Sequence, residues 1–493
     1  MLKKSRHKTG SQINFMKHVP QSFFIILCII SMCIIGCGDN KTSAENETRN
    51  SLVSMDSYSP GQQAKVSFDD PGKLNEYVKF YNDLALDIFN YNTTKMGYRF
   101  DIVFGPYSFL QVLGMTSLGA RNGTLEEMQK VFSPDYEAED WNNMIFQLEN
   151  AVREVSKDYL KENKAFTVKN FAWGHTNYRF SRDYLDKLVQ YYSPELSVVD
   201  FKSLNGDYYG YLSNLLRNST SSHLSGIFPG SDTANRTRLV LGNIMWLEDK
   251  WGADSDNAEL FYGVFQTLNE DWTMCLPMVR KKGRYSYYKD DTITAFEFPI
   301  GLSGITMTVF MPGKNYFESF STNMKERISV VSGMMKPQDV EIVLPEFVVK
   351  SYSYDYDNGL ANLYFKYDGY MKKNGIKNAF DEKTADLSGI NNRGYCYIKD
   401  YFENSSIGFS EKALYAGSIN VVAIEATPDE PDDLWSPDNE YGLMDILSNP
   451  YASCWIVENS DMDMEKPDAR PFIFLIRDSR TNMILFIGRV LSP

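Results

Sequence analysis

The chain has 493 residues, of which 43% are hydrophobic and 23% charged, and a formal net charge of −14. That is ample apolar material for a sizeable core. The acidic balance excludes a nucleic-acid backbone binder, which needs clustered Lys and Arg. Beyond the N-terminus, Lys281-Lys282 is the one basic spot that stands out.

In chain order, the first segment is an address. Residues 1–20 carry Lys3, Lys4, Arg6, Lys8 and Lys17, and Phe23 to Ile35 is almost wholly apolar. That run is too short to span a bilayer comfortably and has signal-peptide proportions. It ends Gly36-Cys37, similar to the bacterial lipobox, in which the cysteine is acylated before cleavage. Each buried methylene contributes ~0.8 kcal/mol, so several acyl chains give durable membrane anchoring. The expected organisation is a lipoprotein signal over residues 1–36, a flexible tether over 37–71 and one folded unit over 72–493. The tether assignment rests on the Ser, Asn, Gly and charge content of residues 38–70.

Helical spacing of apolar residues predicts a helix over 74–90, a second over 106–119 behind Pro106, and a third over 121–131. Thr124 and Glu127 would form a capping box on the third. A fourth is expected over 181–192 behind Ser181. Strands are expected at Leu239–Met245, Ile305–Met311, Val340–Val349, Phe472–Ile476 and Met483–Val490. Helices crowd the first half and strands the second, which is the α+β order. No repeat or low-complexity block occurs.

Enzyme signatures are missing: no Walker A loop, GxGxxG, GxSxG or HExxH is present. Beyond the signal only His175 and His223 remain, and packing or surface roles account for both. Cys275, Cys396 and Cys454 are odd in number and show no CxxC spacing, so they read as small buried hydrophobes rather than metal ligands. No cofactor is expected.

From about Leu74 to the C-terminus, several segments resemble the serpin family, in family order. They are Phe104-Gly-Pro-Tyr-Ser-Phe with Ser117-Leu-Gly-Ala-Arg-Asn-Gly-Thr; Asn170-Phe-Ala-Trp; and Arg238-Leu-Val-Leu-Gly-Asn243-Ile-Met-Trp with Lys250-Trp251. Leu344-Pro-Glu-Phe347, Ala385-Asp-Leu-Ser-Gly-Ile390, Arg470-Pro-Phe-Ile-Phe-Leu-Ile-Arg-Asp and Ile484-Leu-Phe-Ile-Gly-Arg-Val follow. The resemblance implies an α+β serpin fold: a large central mixed sheet, two further sheets and about eight to nine helices. It also implies a single-use inhibitor. A protease attacks an exposed loop, and the cut loop enters the large sheet as a new strand, dragging the acylated protease with it. About ten new backbone hydrogen bonds at ~0.5–1.5 kcal/mol each would contribute on the order of 10 kcal/mol.

Laid on the family's hinge, the sequence reads Glu411-Lys412-Ala413-Leu414-Tyr415-Ala416-Gly417-Ser418, followed by Ile419-Asn420. Glu411 matches; Lys412, Ala413, Leu414 and Tyr415 depart from the usual acid, Gly, Thr and Ala-rich pattern. Alternate residues of an inserted strand face inward. Leu414, Ala416, Ser418 and Asn420 on that face would bury no charge, while the bulk of Leu414 would slow or block entry. In the sheet-opening region, marked by Ser108, Asn243, Trp251 and Glu403, Gly105 replaces a common Ser and Glu403 a common His. Glu346 replaces a base that often pairs with the acid matched by Glu411.

Residues 425–469 are acidic and Pro-rich, and Ala413 to Glu465 contains no Lys or Arg. The expected bait is therefore Tyr441, Leu443, Met444 or Leu447, and the expected partner a serine or cysteine endopeptidase that is not trypsin-like. A monomer is expected, held to a membrane by the lipid, facing the periplasm or the cell surface. The alternative is a non-inhibitory serpin-fold binding module, which Leu414-Tyr415 favours.

Overall fold

The computed structural model describes residues 51–61, 71–98, 100–161, 165–203, 234–249, 258–268, 273–301, 304–351, 353–355, 360–362, 365–430 and 467–493. The expected sites Cys37, Trp251, Tyr441, Leu443, Met444 and Leu447, together with His223 and Cys454, lie outside these residues.

Described helices are α1 (Pro71–Met96), α2 (Pro106–Ser117), α3 (Asn122–Phe132), α4 (Ala138–Lys161), α5 (Arg182–Tyr192), α6 (Phe317–Thr322), α7 (Met324–Met334) and α8 (Asp368–Lys373). In chain order the strands are β1 (Leu52–Ser54), β2 (Ile102–Phe104), β3 (Ala165–His175), β4 (Arg179–Ser181), β5 (Glu195–Val199), β6 (Thr237–Asp249) and β7 (Glu259–Gln266). They continue with β8 (Thr273–Lys289), β9 (Ile293–Ile300), β10 (Ile305–Pro312), β11 (Lys336–Pro345), β12 (Phe347–Lys350) and the short pair β13 (Ser353–Asp355) and β14 (Leu360–Asn362). The last are β15 (Phe365–Lys366), β16 (Cys396–Phe409), β17 (Leu414–Ala426), β18 (Phe472–Asp478) and β19 (Ile484–Val490).

Helix α1 buries Tyr77, Val78, Tyr81, Ala85, Ile88 and Phe89 at helical spacing and stops at Gly97, whose φ of +61° suits a left-handed cap. Helix α2 begins on Pro106, and every one of its residues is buried. It runs through the middle of the core against β6, β17 and β19. The start of α3 differs from the capping-box expectation. No side chain caps it. Thr124 Oγ1 instead accepts the Asp386 N–H at 2.9 Å, and Glu127 Oε2 accepts the N–H groups of Lys377 and Asn378, each at 2.8 Å. The two side chains tie α3 to the 377–386 segment.

Two large sheets enclose one main core. The first has the order β12-β16-β17-β6-β3-β5, with β15 also on β16. The second has the order β11-β8-β9-β10-β18-β19-β2, with β7 on β8. The single strand expected at Val340–Val349 is two strands in different sheets. Pro345 ends β11 because it has no N–H to donate, and the Glu346 N–H turns to Pro277 O at 2.9 Å. Within the stretch read as tether, residues 51–58 are docked. β1 pairs with β4, Met55 is buried, and Tyr58 Oη donates to Asp186 Oδ1 at 2.7 Å.

Candidate functional site

The residues matched to the family's hinge, Glu411 to Ser418, form a turn and then enter the first sheet between two neighbouring strands. β16 ends at Phe409, and a tight turn follows in which the Ser410 N–H donates to Ala413 O at 2.9 Å. The Glu411 N–H donates to Glu346 Oε1 at 2.9 Å, so Glu346 holds the turn through the backbone rather than through a charge pair. Lys412 is exposed at the tip. The chain then runs from Leu414 to Ala426 between β16 and β6, antiparallel to both.

The alternation places Leu414, Ala416, Val422 and Ile424 in the main core, while Ile419 and Val421 pack with Phe171, Trp173, Val240, Ile244 and Phe402 on the opposite face. Leu414 is fully buried. Tyr415 faces Gly408 across the strands and stacks on Trp246, with ring centroids 5.6 Å apart. A side chain at Gly408 would overlap the Tyr415 ring. The two bulky departures from the hinge pattern are thus met by a core site and by a glycine–tryptophan seat. Further along, Glu425 is buried and accepts the Tyr397 hydroxyl at 3.1 Å.

The register runs Glu403, Asn420, Asn243 across three neighbouring strands, so β17 separates two of the residues expected to mark the sheet-opening region. Asn243 Nδ2 donates to Asn170 Oδ1 at 2.8 Å, and Asn170 Nδ2 donates to Glu149 Oε1 at 2.9 Å. Glu403 accepts the Gly105 N–H at 2.6 Å, the Ser405 hydroxyl and the Tyr367 hydroxyl. Its Oε1 lies 3.5 Å from Ser418 Oγ. Ser108 is buried nearby, but its hydroxyl bonds to neither Glu403 nor Asn243. Gly105 is where the strand meets the core, since a Cβ there would overlap the Ser418 side chain.

At the far end of β17, Arg236 donates to Ala426 O from Nε at 2.9 Å and from Nη2 at 2.7 Å. The Thr427 N–H donates to Tyr395 O at 2.7 Å, and Glu430 pairs with Arg238 at 2.8 Å, both side chains under 10% exposed. His175 is buried beside these groups, and burial with the nearby Arg238 charge pushes its pKa down to about 4, so it is neutral at pH 7.

The serpin (serine protease inhibitor) family model matches residues 80–493. The chain belongs to the serpin family. An uncharacterized serpin-like protein of Thermococcus kodakarensis is 23% identical over 95% of this chain and 98% of its own length. Leukocyte elastase inhibitor A of Mus musculus is 23% identical over 80% of this chain and 93% of its own. Among solved structures, cleaved Serpin 42Da superposes with a TM-score of 0.65 at 16% identity, covering 85% of this chain and 99% of that one. That likeness carries the fold, including the α+β layering expected from the sequence.

In this serpin the Gly105–Ser418 and Gly408–Tyr415 fits and the Arg236 and Arg238 contacts were not legible in the sequence. The hinge pattern signalled Leu414 and Tyr415 as misfits but carried no signal for the partners that receive them. Cys396 is a buried thiol, pushed by burial up to about 12, whereas Cys275 is exposed rather than buried.

Burial pushes Glu403 up from 4.5 to about 8, against its hydrogen bonds from Ser405, Gly105 and Ser418. Burial holds the neighbouring Tyr81 hydroxyl well above the usual tyrosine value, so it is uncharged at neutral pH. Between the unfolded and folded values the folded serpin keeps a proton that the unfolded chain has lost. Stability therefore falls by up to about 1.4 kcal/mol per pH unit from pH 5 to 8 and levels off above. Glu403→Gln keeps the acceptor and removes the titration. Urea midpoints at pH 5, 6.5 and 8 are expected to fall less steeply in the variant, the residual slope coming in part from Glu149, which burial pushes up to about 7. An unchanged slope refutes the assignment.

Gly105→Ala is expected to act on the seated hinge alone, because the overlap is with Ser418 of β17. It should lower the thermal midpoint by several degrees, in line with an overpacking cost of about 1–3 kcal/mol. Adding Ser418→Gly should restore most of the loss. Differential scanning of the single and double variants decides the matter, and additive losses would sink the idea.

Proposed function

We propose that this serpin is a single-use, suicide-substrate inhibitor of serine or cysteine endopeptidases, and not an enzyme. The observation that carries this reading is β17: the atypical hinge fits as a full central strand, with Leu414 and Tyr415 each provided for. Insertion is the step on which protease capture depends, and the bulk of Leu414 does not keep the strand out. The mouse relative is named as an inhibitor of leukocyte elastase, which supports the same class of partner. The acidic, Lys- and Arg-free stretch from Ala413 to Glu465 favours a target that is not trypsin-like.

One observation favours a second reading, a non-inhibitory binding module. The hinge is seated while the chain is continuous in sequence. Residues 431–466 can span on the order of 120 Å, against roughly 43 Å for β17. An uncut chain can therefore hold its own hinge and would have no strain left to spend on a protease. Incubation of freshly refolded protein with a panel of elastase-, chymotrypsin-, subtilisin- and papain-like enzymes separates the two. The inhibitor yields a covalent complex that survives a denaturing gel. Cleavage with no complex, and with no rise in thermal midpoint, selects the binding module.

We further propose that the inhibitor acts as a monomer, presented at a bacterial cell envelope by a lipid on Cys37. The basic residues, the apolar run and Gly36-Cys37 support this. Mass spectrometry of membrane-extracted protein should find an acylated N-terminal peptide beginning at Cys37. A mature N-terminus elsewhere, with an unmodified Cys37, would refute it.

A further inference from the structure

The lower end of β17 meets a receptor for one particular carbonyl. Arg236 sends two donors to Ala426 O, at 2.9 and 2.7 Å. Its guanidinium is held in turn by Glu382 at 3.4 Å and lies 5.7 Å from the centroid of the Tyr397 ring. Tyr397 itself donates to Glu425, the residue before Ala426. Ala426 is both the last residue of the strand and the partner of Cys396, the first residue of β16, and one further bond, Thr427 N–H to Tyr395 O, closes the ladder. A guanidinium forked onto a single main-chain oxygen is a strong, charge-assisted contact.

We propose that Ala426–Thr427 is the bond presented to the target protease, and that Arg236 is a positioning residue that takes the Ala426 carbonyl once the loop is in the sheet. This rests on the inhibitor reading above. In the first step the protease serine hydroxyl attacks the Ala426 carbonyl carbon. The Ala426–Thr427 C–N bond breaks, the Thr427 amine leaves with the proton relayed from that hydroxyl, and an ester joins Ala426 to the protease. Release needs water to add to that ester while its oxygen sits among the oxyanion-hole donors of the protease. When β17 is seated, the same oxygen is under Arg236. The fork competes with the oxyanion hole for it, and hydrolysis slows.

Length argues for the same bond. A cut at Tyr441 or Leu447 would leave on the order of 50–75 Å of chain between Ala426 and the protease. With that slack the seated strand would not draw the enzyme against the body, and the ester would hydrolyse freely. A cut after Ala426 leaves none. The residue chemistry then names the target class: Ala426 is small and follows Val421-Val422-Ala423-Ile424-Glu425, which suits an endopeptidase with a small primary pocket, as in elastase.

The test mixes the full chain with pancreatic elastase and recovers the covalent complex. The mass of the released C-terminal fragment is expected to correspond to a start at Thr427. A complex whose fragment starts beyond Tyr441 overturns the bond assignment and leaves the inhibitor reading standing. No complex with elastase or any other enzyme of the panel removes that reading and this inference with it. Arg236→Gln should be cut at the same bond and at the same rate, but its complex should decay at least ten-fold faster. Arg236→Lys, which keeps a charged donor, should fall between. Thermal midpoints of the uncut variants check that each is folded. An Arg236→Gln complex as long-lived as the wild type overturns the role of Arg236.

Discussion

Everything at the site depends on a strand that is paired on both edges. β17 takes hydrogen bonds from β16 on one side and from β6 on the other along nearly its whole length. Each bond contributes a net ~0.5–1.5 kcal/mol, while ordering a residue costs ~1–2 kcal/mol of backbone entropy. The hydrogen bonds alone therefore do not decide whether the strand enters. Side-chain burial does: Leu414, Ile419, Val421, Val422 and Ile424 are all fully buried, and a buried aliphatic side chain contributes about 1.5–3 kcal/mol. The apolar half of the hinge supplies the sign, and the backbone supplies the register.

The register then dictates what the neighbours must be. Ser418 falls opposite Gly105, Tyr415 opposite Gly408, and Asn420 between Glu403 and Asn243. A serine at Gly105 would collide with the seated strand, so a small residue there and a hydroxyl on the hinge form one exchange of volume. Glu403 is a similar adaptation. A carboxyl buried this deeply stays neutral near pH 7, because charging it would forfeit solvation that its hydrogen bonds do not replace. It serves as a hydrogen-bonding hub beneath the strand: Oε1 accepts from Gly105 and Ser405, and the protonated Oε2 shares a hydrogen bond with the Tyr367 hydroxyl.

The ends of β17 are held by different chemistry. At the upper end the contacts are hydrogen bonds of the turn itself, Ser410 to Ala413, and one from the Glu411 N–H to the Glu346 carboxylate. At the lower end two arginines hold it, Arg236 by hydrogen bonds to the Ala426 carbonyl and Arg238 by an ion pair with Glu430.

From the sequence alone the class, the family and the limits of the hinge were readable. Ordered motifs, 3.6-residue and two-residue periodicities and turn residues are local properties; they placed α2, α3, α5, β6, β10, β18 and β19 within a few residues and α1 without its last two turns. The same local patterns failed where partners are remote. Thr124 and Glu127 are spaced like a capping box yet serve the 377–386 segment. Val340–Val349 is one apolar run but two strands, because Pro345 cannot donate to a ladder. The hinge looked obstructed by Leu414 and Tyr415, since the residues that receive them, Gly408 and Trp246 among them, come from other strands. Only the tertiary structure decided that the hinge fits, that Gly105 leaves room for Ser418, and that Arg236 meets Ala426 across 190 positions of chain. Packing complementarity and buried electrostatics are properties of juxtaposed surfaces, and no window along the sequence contains both sides.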